Sequence, residues 1–134
     1  MGGDVTLIRG RPLTDTVDHA YAAAVEAPVR AVWTAGACPL DAEGNTAAVG
    51  DYAGRAHQVV RNLVTALDGA GAGLGDVVRT TVYVATAEQA HLVEVWNAVR
   101  EYMGEHDAPG TPLGVTVLGY DDQLVEVEAV AVTS

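Results

Sequence analysis

Two stretches of this chain repeat their apolar residues at helical spacing, and five others alternate apolar with polar residues or run as β-branched clusters. Across residues 51–70, Ala56, Val59, Val60, Leu63, Ala66, Leu67 and Ala70 recur at three- and four-residue intervals. His57, Arg61, Thr65 and Asp68 fall elsewhere on the wheel, so the segment predicts an amphipathic helix with one face in a core. Gly69 and Gly71 are expected to stop it. A second helix is predicted from about residue 89, with Leu92, Val95, Trp96, Val99 and Tyr102 or Met103 on its buried stripe. Thr86-x-x-Gln89 before it reads as a capping box, and Gly104 and Pro109 bracket its end. Strands are predicted at residues 5–8, 29–35, 77–85, 113–118 and 123–132, and residues 18–25 read as an alanine-rich connector, either loop or one helical turn.

The resulting order, β-β-α-β-α-β-β, implies an α+β layer fold with both helices on one face of a mixed sheet. Along the last strand Val125, Val127, Ala129 and Ala131 point one way into the core. Glu126 and Glu128 point the other way, about 7 Å apart from the strand rise. Pattern alone sets these two carboxylates in solvent.

Composition narrows the chemistry. The 134 residues are expected to form one domain, large enough for a core without staples. No apolar run is long enough to span a bilayer, and residues 1–4 lack the basic start of a secretory leader. The lone Cys38 fits a reducing cytoplasm, the expected location. A net charge of −11 argues against nucleic acid as a partner, which needs clustered Lys and Arg. Lysine is absent altogether, which removes Schiff-base catalysis and lysine anchoring of pyridoxal phosphate. The one serine is the terminal Ser134, which removes a hydrolase-type nucleophile. His19, His57, His91 and His106 are scattered, so neither a metal nor another cofactor is called for. His106 is the histidine nearest the loop at Gly110 and the one retained as a possible proton carrier.

The stretch Asp107-Ala-Pro-Gly-Thr-Pro-Leu-Gly114, with residues 115–120 and 124–132 after it, resembles the C-terminal signature of the RidA/YjgF family, whose members deaminate reactive enamines and imines. Trp33-Thr-Ala-Gly-Ala-Cys-Pro-Leu-Asp41, His57-Gln-Val-Val-Arg-Asn-Leu63 and residues 71–84 are similar to the same family, so the likeness runs from about Tyr21 to Val132. It implies the chorismate-mutase-like fold of that family and a homotrimer with clefts between subunits.

The resemblance also implies site residues. Glu126 matches the family glutamate that positions water or a substrate nitrogen, and is the expected catalytic group. Tyr21 resembles the cleft tyrosine. Ala35, before Gly36, stands where a serine is usual, and Trp96 where an asparagine is common. Gly110 stands where the family loop Pro-Ala-Arg-Ser/Thr carries the arginine that grips the substrate carboxylate. A charged hydrogen bond contributes about 1.5–3 kcal/mol and an arginine fork makes two, so an amino-acid-derived imine loses most of its anchor. Either the substrate lacks that carboxylate, or Arg79 or Arg30 replaces the missing group. Gly110 is expected to serve a turn, with positive φ, and to open room for a bulkier ligand beside Thr111.

The expected function is therefore water or proton chemistry on an enamine, imine or similar unsaturated small molecule, with a specialised substrate. Glu126 would be catalytic, and Tyr21, Ala35, Gly36, Trp96, Gly110 and Thr111 would bind the substrate. The alternative is a non-catalytic ligand-binding or interaction protein on the same trimeric scaffold.

Overall fold

The computed structural model describes residues 5–9, 12–14, 16–26, 28–45, 51–120 and 122–134. The reading at residues 1–4 lies outside them. The order is β1 (Val5–Ile8), β2 (Ala22–Val25), β3 (Arg30–Trp33), α1 (Tyr52–Gly69), β4 (Val77–Ala85), α2 (Gln89–Met103), β5 (Gly110–Val115) and β6 (Val125–Thr133).

Four strands form the main sheet in the order β3-β6-β4-β5, antiparallel except for the β4–β5 pair. The α+β mixed sheet expected from the pattern is thus present, and the described residues hold six strands where five were predicted, the first two in a separate two-stranded sheet. The alanine-rich connector is β2, which pairs antiparallel with β1 from Val5↔Val25 to Ile8↔Ala22. Alanine has little intrinsic preference for strand, so its conformation here comes from the partner.

Both helices cover one face. Val59, Val60, Leu63 and Leu67 of α1 and Val95 and Val99 of α2 bury against Val82, Val84, Val125 and Val127. Helix α1 ends as its glycines predict. Gly71 takes a φ of 80°, Gly71 N–H donates to the Asp68 carbonyl, and Ala72 N–H donates to the Leu67 carbonyl. That is the double hydrogen bond of a Schellman motif. Helix α2 starts differently from expectation. Its N-cap is Glu88, without a side-chain cap bond. The Thr86 hydroxyl is engaged outside the helix, accepting from the Glu88 N–H at 3.0 Å and meeting His91 Nδ1 at 2.8 Å. The predicted capping box does not form.

The last two strands are displaced from their predicted bounds. Strand β5 begins at Gly110, earlier than the predicted residue 113, because Gly110, Thr111 and Pro112 pair in parallel with Thr80, Thr81 and Val82. It is an edge strand, where a proline is tolerated. Gly110 accordingly has no positive φ, so the turn role expected of it is not its role. Gln123 precedes β6 in a turn with Asp122 at φ 56°, its side chain accepting from the Tyr120 N–H at 3.0 Å.

The segment before β5 is anchored by charge. Arg9 forms a two-pronged ion pair with Asp107, and Arg100 stands 3.9 Å from the same carboxylate. The Arg9 hydrogen bond holds the Asp107 carboxyl below its ordinary range.

Candidate functional site

The sheet face away from the helices carries the polar residues of the candidate site. Glu126 lies opposite Tyr83, and Glu128 opposite Thr81. The two glutamates share this face as the alternation predicts, while Val125 and Val127 are fully buried behind them. The Tyr83 hydroxyl donates to Glu128 at 2.8 Å, which holds the phenol proton more tightly than usual.

A bulge brings bare backbone onto Glu126. Thr34 N–H donates to the Ala129 carbonyl, and three residues later Ala37 pairs with Val127 through bonds of 2.7 and 3.1 Å. Three steps along one strand against two along the other leave one extra residue, and Gly36 lies against Glu126. A Cβ at Gly36 would fall 2.5 Å from Glu126 Oε2 and 2.6 Å from its Cγ. Only glycine leaves the carboxylate where it is.

Glu126 Oε1 is held by two neutral donors. Gln123 Nε2 donates at 3.3 Å, and the Cys38 thiol, whose single proton is shared with the Gly36 carbonyl, lies at 3.4 Å. Asn62 fixes the Cys38 loop from below by donating to the Cys38 and Leu40 carbonyls at 2.6 and 2.9 Å. Burial first, then Glu126, pushes the Cys38 thiol from about 9.0 up to about 11. Cys38 is therefore a proton donor to the carboxylate, not a nucleophile. A two-unit rise removes about 99% of the thiolate at pH 8, so alkylation there should run about 100-fold slower than for an ordinary thiol. The rate should climb only as pH approaches 11. Iodoacetamide labelling followed by mass spectrometry measures it, and labelling at the speed of a free thiol would contradict this geometry.

The other predicted residues lie elsewhere. Gly110 is beside Thr80, on the helix-covered side of the sheet. From the strand rise and spacing it is about 14 Å from Glu126. A Cβ there would collide with Thr80 Oγ1 and fall 2.9 Å from Trp96 Cη2. The expected room for a bulkier ligand at Gly110 is therefore filled by Trp96 and Thr80. Thr111 faces the opposite side, where Arg79 donates to its hydroxyl at 3.1 Å.

Tyr21 donates its hydroxyl to the Thr14 carbonyl and sets its ring edge-on to His19. Trp96, predicted on the buried stripe, packs partly buried against the core, with its indole N–H 3.1 Å from both oxygens of Asp18. Within one chain, then, Ala35, Gly36 and Glu126 form one group, Tyr21, Trp96 and Gly110 a second, and Thr111 joins Arg79.

The two arginines weighed as carboxylate anchors, Arg30 and Arg79, divide. Arg30 donates to the Ala70 carbonyl at the end of α1, 2.5 Å away, and is committed there. Arg79 reaches Thr111 and shares a small recess with Trp33 and Glu128, on the sheet face away from Gly110. His106 donates from Nε2 to the Val77 carbonyl at 2.7 Å.

Three residues of consequence escaped the sequence reading. Gln123 was assigned to a strand. Asp18 and His19 lay in the supposed connector, and their partner Trp96 is 78 residues from Asp18 in sequence. No local pattern marks a pairing at that separation.

Among the described residues, no group of three or more His, Cys, Asp or Glu is gathered as for a metal ion. No described helix is long and apolar enough to cross a membrane.

The family profile described as Endoribonuclease L-PSP matches residues 14–133. A RutC family protein of Pyrococcus abyssi is 35% identical over 101 residues, which cover 75% of this chain and 76% of the relative. YyfB of Yersinia pestis, solved as a protein of unknown function in the conserved Rid family, superimposes with a TM-score of 0.85. It is 28% identical, and the match covers 95% of this chain and 97% of YyfB. TdcF of E. coli, solved with bound serine, gives a TM-score of 0.67 at 25% identity, over 78% of this chain and 81% of its own. A profile spanning nearly the whole sequence and a superposition of nearly the whole fold lead to one conclusion: this chain belongs to the RidA/YjgF/L-PSP family.

Proposed function

We propose that this chain, acting as one unit over residues 1–134, is a cytoplasmic small-molecule enzyme working on an enamine, imine or similarly unsaturated intermediate without a cofactor. The observation that carries this reading is the Glu126 carboxylate. It is half-buried, bounded by the bare backbone of Gly36, and oriented by two neutral donors. A carboxylate with no cation on it is free to accept a proton. In imine hydrolysis Glu126 takes a proton from a water whose oxygen adds to the C=N carbon and returns that proton to the nitrogen. It then relays the carbinolamine hydroxyl proton to the nitrogen as the C–N bond breaks, which expels the amine and leaves the carbonyl. Small-molecule binding in the family has a precedent in the serine bound to TdcF.

Assembly into a homotrimer would bring the Glu126 group of one chain toward the Tyr21, Trp96 and Gly110 group of the next. The open sheet face supports such burial, since Trp33 is 72% and Leu113 is 42% exposed there. Trp33→Glu would place a carboxylate in that contact and is expected to convert trimer to monomer. Light scattering coupled to gel filtration checks this, and a wild-type monomer, or a variant that stays trimeric, would contradict it.

RNA cleavage, the activity in the family profile's description, fits poorly with a net charge of −11 and with a face bearing Glu126 and Glu128. A ligand-binding protein without turnover is the second reading, supported by the filling of the Gly110 position by Trp96 and Thr80.

The deciding experiment measures hydrolysis of imines generated in situ by an amino-acid oxidase, alongside carboxylate-free imines. The proposal expects the carboxylate-free compounds to be turned over. Ligand binding without turnover of either class would favour the second reading.

A further inference from the structure

An open recess of about 620 Å³ lies between residues 16–19 and the first half of α2. Its walls are mostly apolar, from Val17, Leu92, Val93 and Pro112, and its polar end is formed by Asp18, His19 and Trp96. We propose that this recess binds an organic cation, an ammonium or iminium group on an apolar body, through the Asp18 carboxylate and the Trp96 indole. The inference names the ligand class for the Trp96 side of the site proposed above, and rests on that reading for any chemistry that follows binding.

Three observations carry it. First, Asp18 has acceptor capacity to spare. A carboxylate offers about four lone-pair positions, and the Trp96 N–H, 3.1 Å from both oxygens, uses only part of that capacity. The Arg100 contact with Asp18 is to its backbone carbonyl, at 2.6 Å.

Second, the polar end is built for positive charge. Asp18 aligns the indole, and His19 stands edge-on to it at 5.9 Å and 86°. His19 Nδ1 lies 2.9 Å from the Ala20 carbonyl, which can only accept. Nδ1 is therefore the donor, and in the neutral ring Nε2 presents a lone pair. Carboxylate, aromatic faces and an imidazole lone pair all attract a cation.

Third, Asp18 is the one formally charged side chain among the described residues lining the recess. The neighbouring arginines among the described residues are engaged by protein groups. Arg100 donates to the Gly104 carbonyl and approaches Asp107, Arg9 pairs with Asp107, and Arg79 lies on the opposite face of the sheet at Thr111. A carboxylate-bearing ligand would meet the Asp18 carboxylate, and the one guanidinium beside it, that of Arg100, is already held by the Asp18 and Gly104 carbonyls.

The test compares benzylammonium with phenylacetate, similar in size and opposite in charge, by calorimetry on the full chain at low salt. The Trp96 indole N–H resonance, assigned with Trp33→Phe, reports the location. Benzylammonium is expected to bind and shift the Trp96 resonance, and phenylacetate is not. Asp18→Asn should weaken binding about tenfold, the scale of one charge-assisted hydrogen bond. Val17→Lys, at an exposed wall position that leaves the Asp18–Trp96 bond intact, should reverse the preference toward phenylacetate. Tighter or equal binding of phenylacetate, binding that leaves the Trp96 resonance unmoved, or no binding of benzylammonium would each overturn the proposal. Cation binding without imine hydrolysis would uphold it and remove only the catalytic reading. Hydrolysis without cation binding would do the reverse.

Discussion

Glu126→Gln is expected to lower turnover of any imine this chain accepts by about 100- to 10,000-fold, the usual contribution of a positioned general acid or base. The amide keeps the shape of the side chain and retains an oxygen that can accept from Gln123 Nε2 and the Cys38 thiol. Fold and assembly should therefore survive, and what is lost is the capacity to take and return a proton. Cys38 offers an independent readout. Glu126 is one of the groups holding its thiol near 11, so the amide variant should alkylate faster, although burial, the larger cause, keeps it slower than a free thiol. Gly36→Ala approaches the same carboxylate from the other side. Its methyl group would sit 2.5 Å from Oε2, so Glu126 must move, and activity should fall without any loss of the carboxylate. Unchanged turnover in Glu126→Gln, with Cys38 labelling nevertheless accelerated, would show that the geometry is right and the catalytic role wrong.

The periodicity revealed both helices and the split of β6 into a core face and a carboxylate face, because both are local consequences of side-chain direction. Other features depended on a partner distant in sequence. Ala22–Val25 is a strand only because β1 lies beside it, and Gly110 and Pro112 are strand residues only because β4 supplies the pairing. The Thr86 capping box failed because its hydroxyl was taken by His91 and the Glu88 N–H. The site shows the same limit more sharply. Glu126 could be picked out by family resemblance, but the bulge that drapes Gly36 over it depends on where β3 leaves and rejoins β6. Trp96 sat on an apolar stripe and read as core, yet its indole N–H reaches Asp18 across most of the chain.

That placement of Trp96 gives the sharpest test of the arginine position that the family resemblance implies at Gly110. Gly110→Arg puts an arginine where the family resemblance implies one, and it is expected to destabilise the protein without creating carboxylate binding. The Cβ alone would collide with Thr80 Oγ1 and stand 2.9 Å from Trp96 Cη2. Overpacking of this kind costs about 1–3 kcal/mol, before any cost of placing a guanidinium beneath an indole. Trp96→Asn, the residue the family resemblance implies there, should also destabilise by removing a large, half-buried side chain and its bond to Asp18. If Trp96 occupies the space an arginine would need, the two costs cannot add. The double variant should be more stable than the sum of the single effects by about 1–2 kcal/mol, the coupling typical of residues in contact. It alone should gain affinity for a carboxylate ligand such as phenylacetate. Denaturant unfolding of the four proteins closes the cycle. Strict additivity would mean that the tryptophan and the missing arginine are unrelated. Coupling, together with the gained carboxylate affinity, would mean that one exchange of residues moved this site from anion recognition to a recess edged by Asp18.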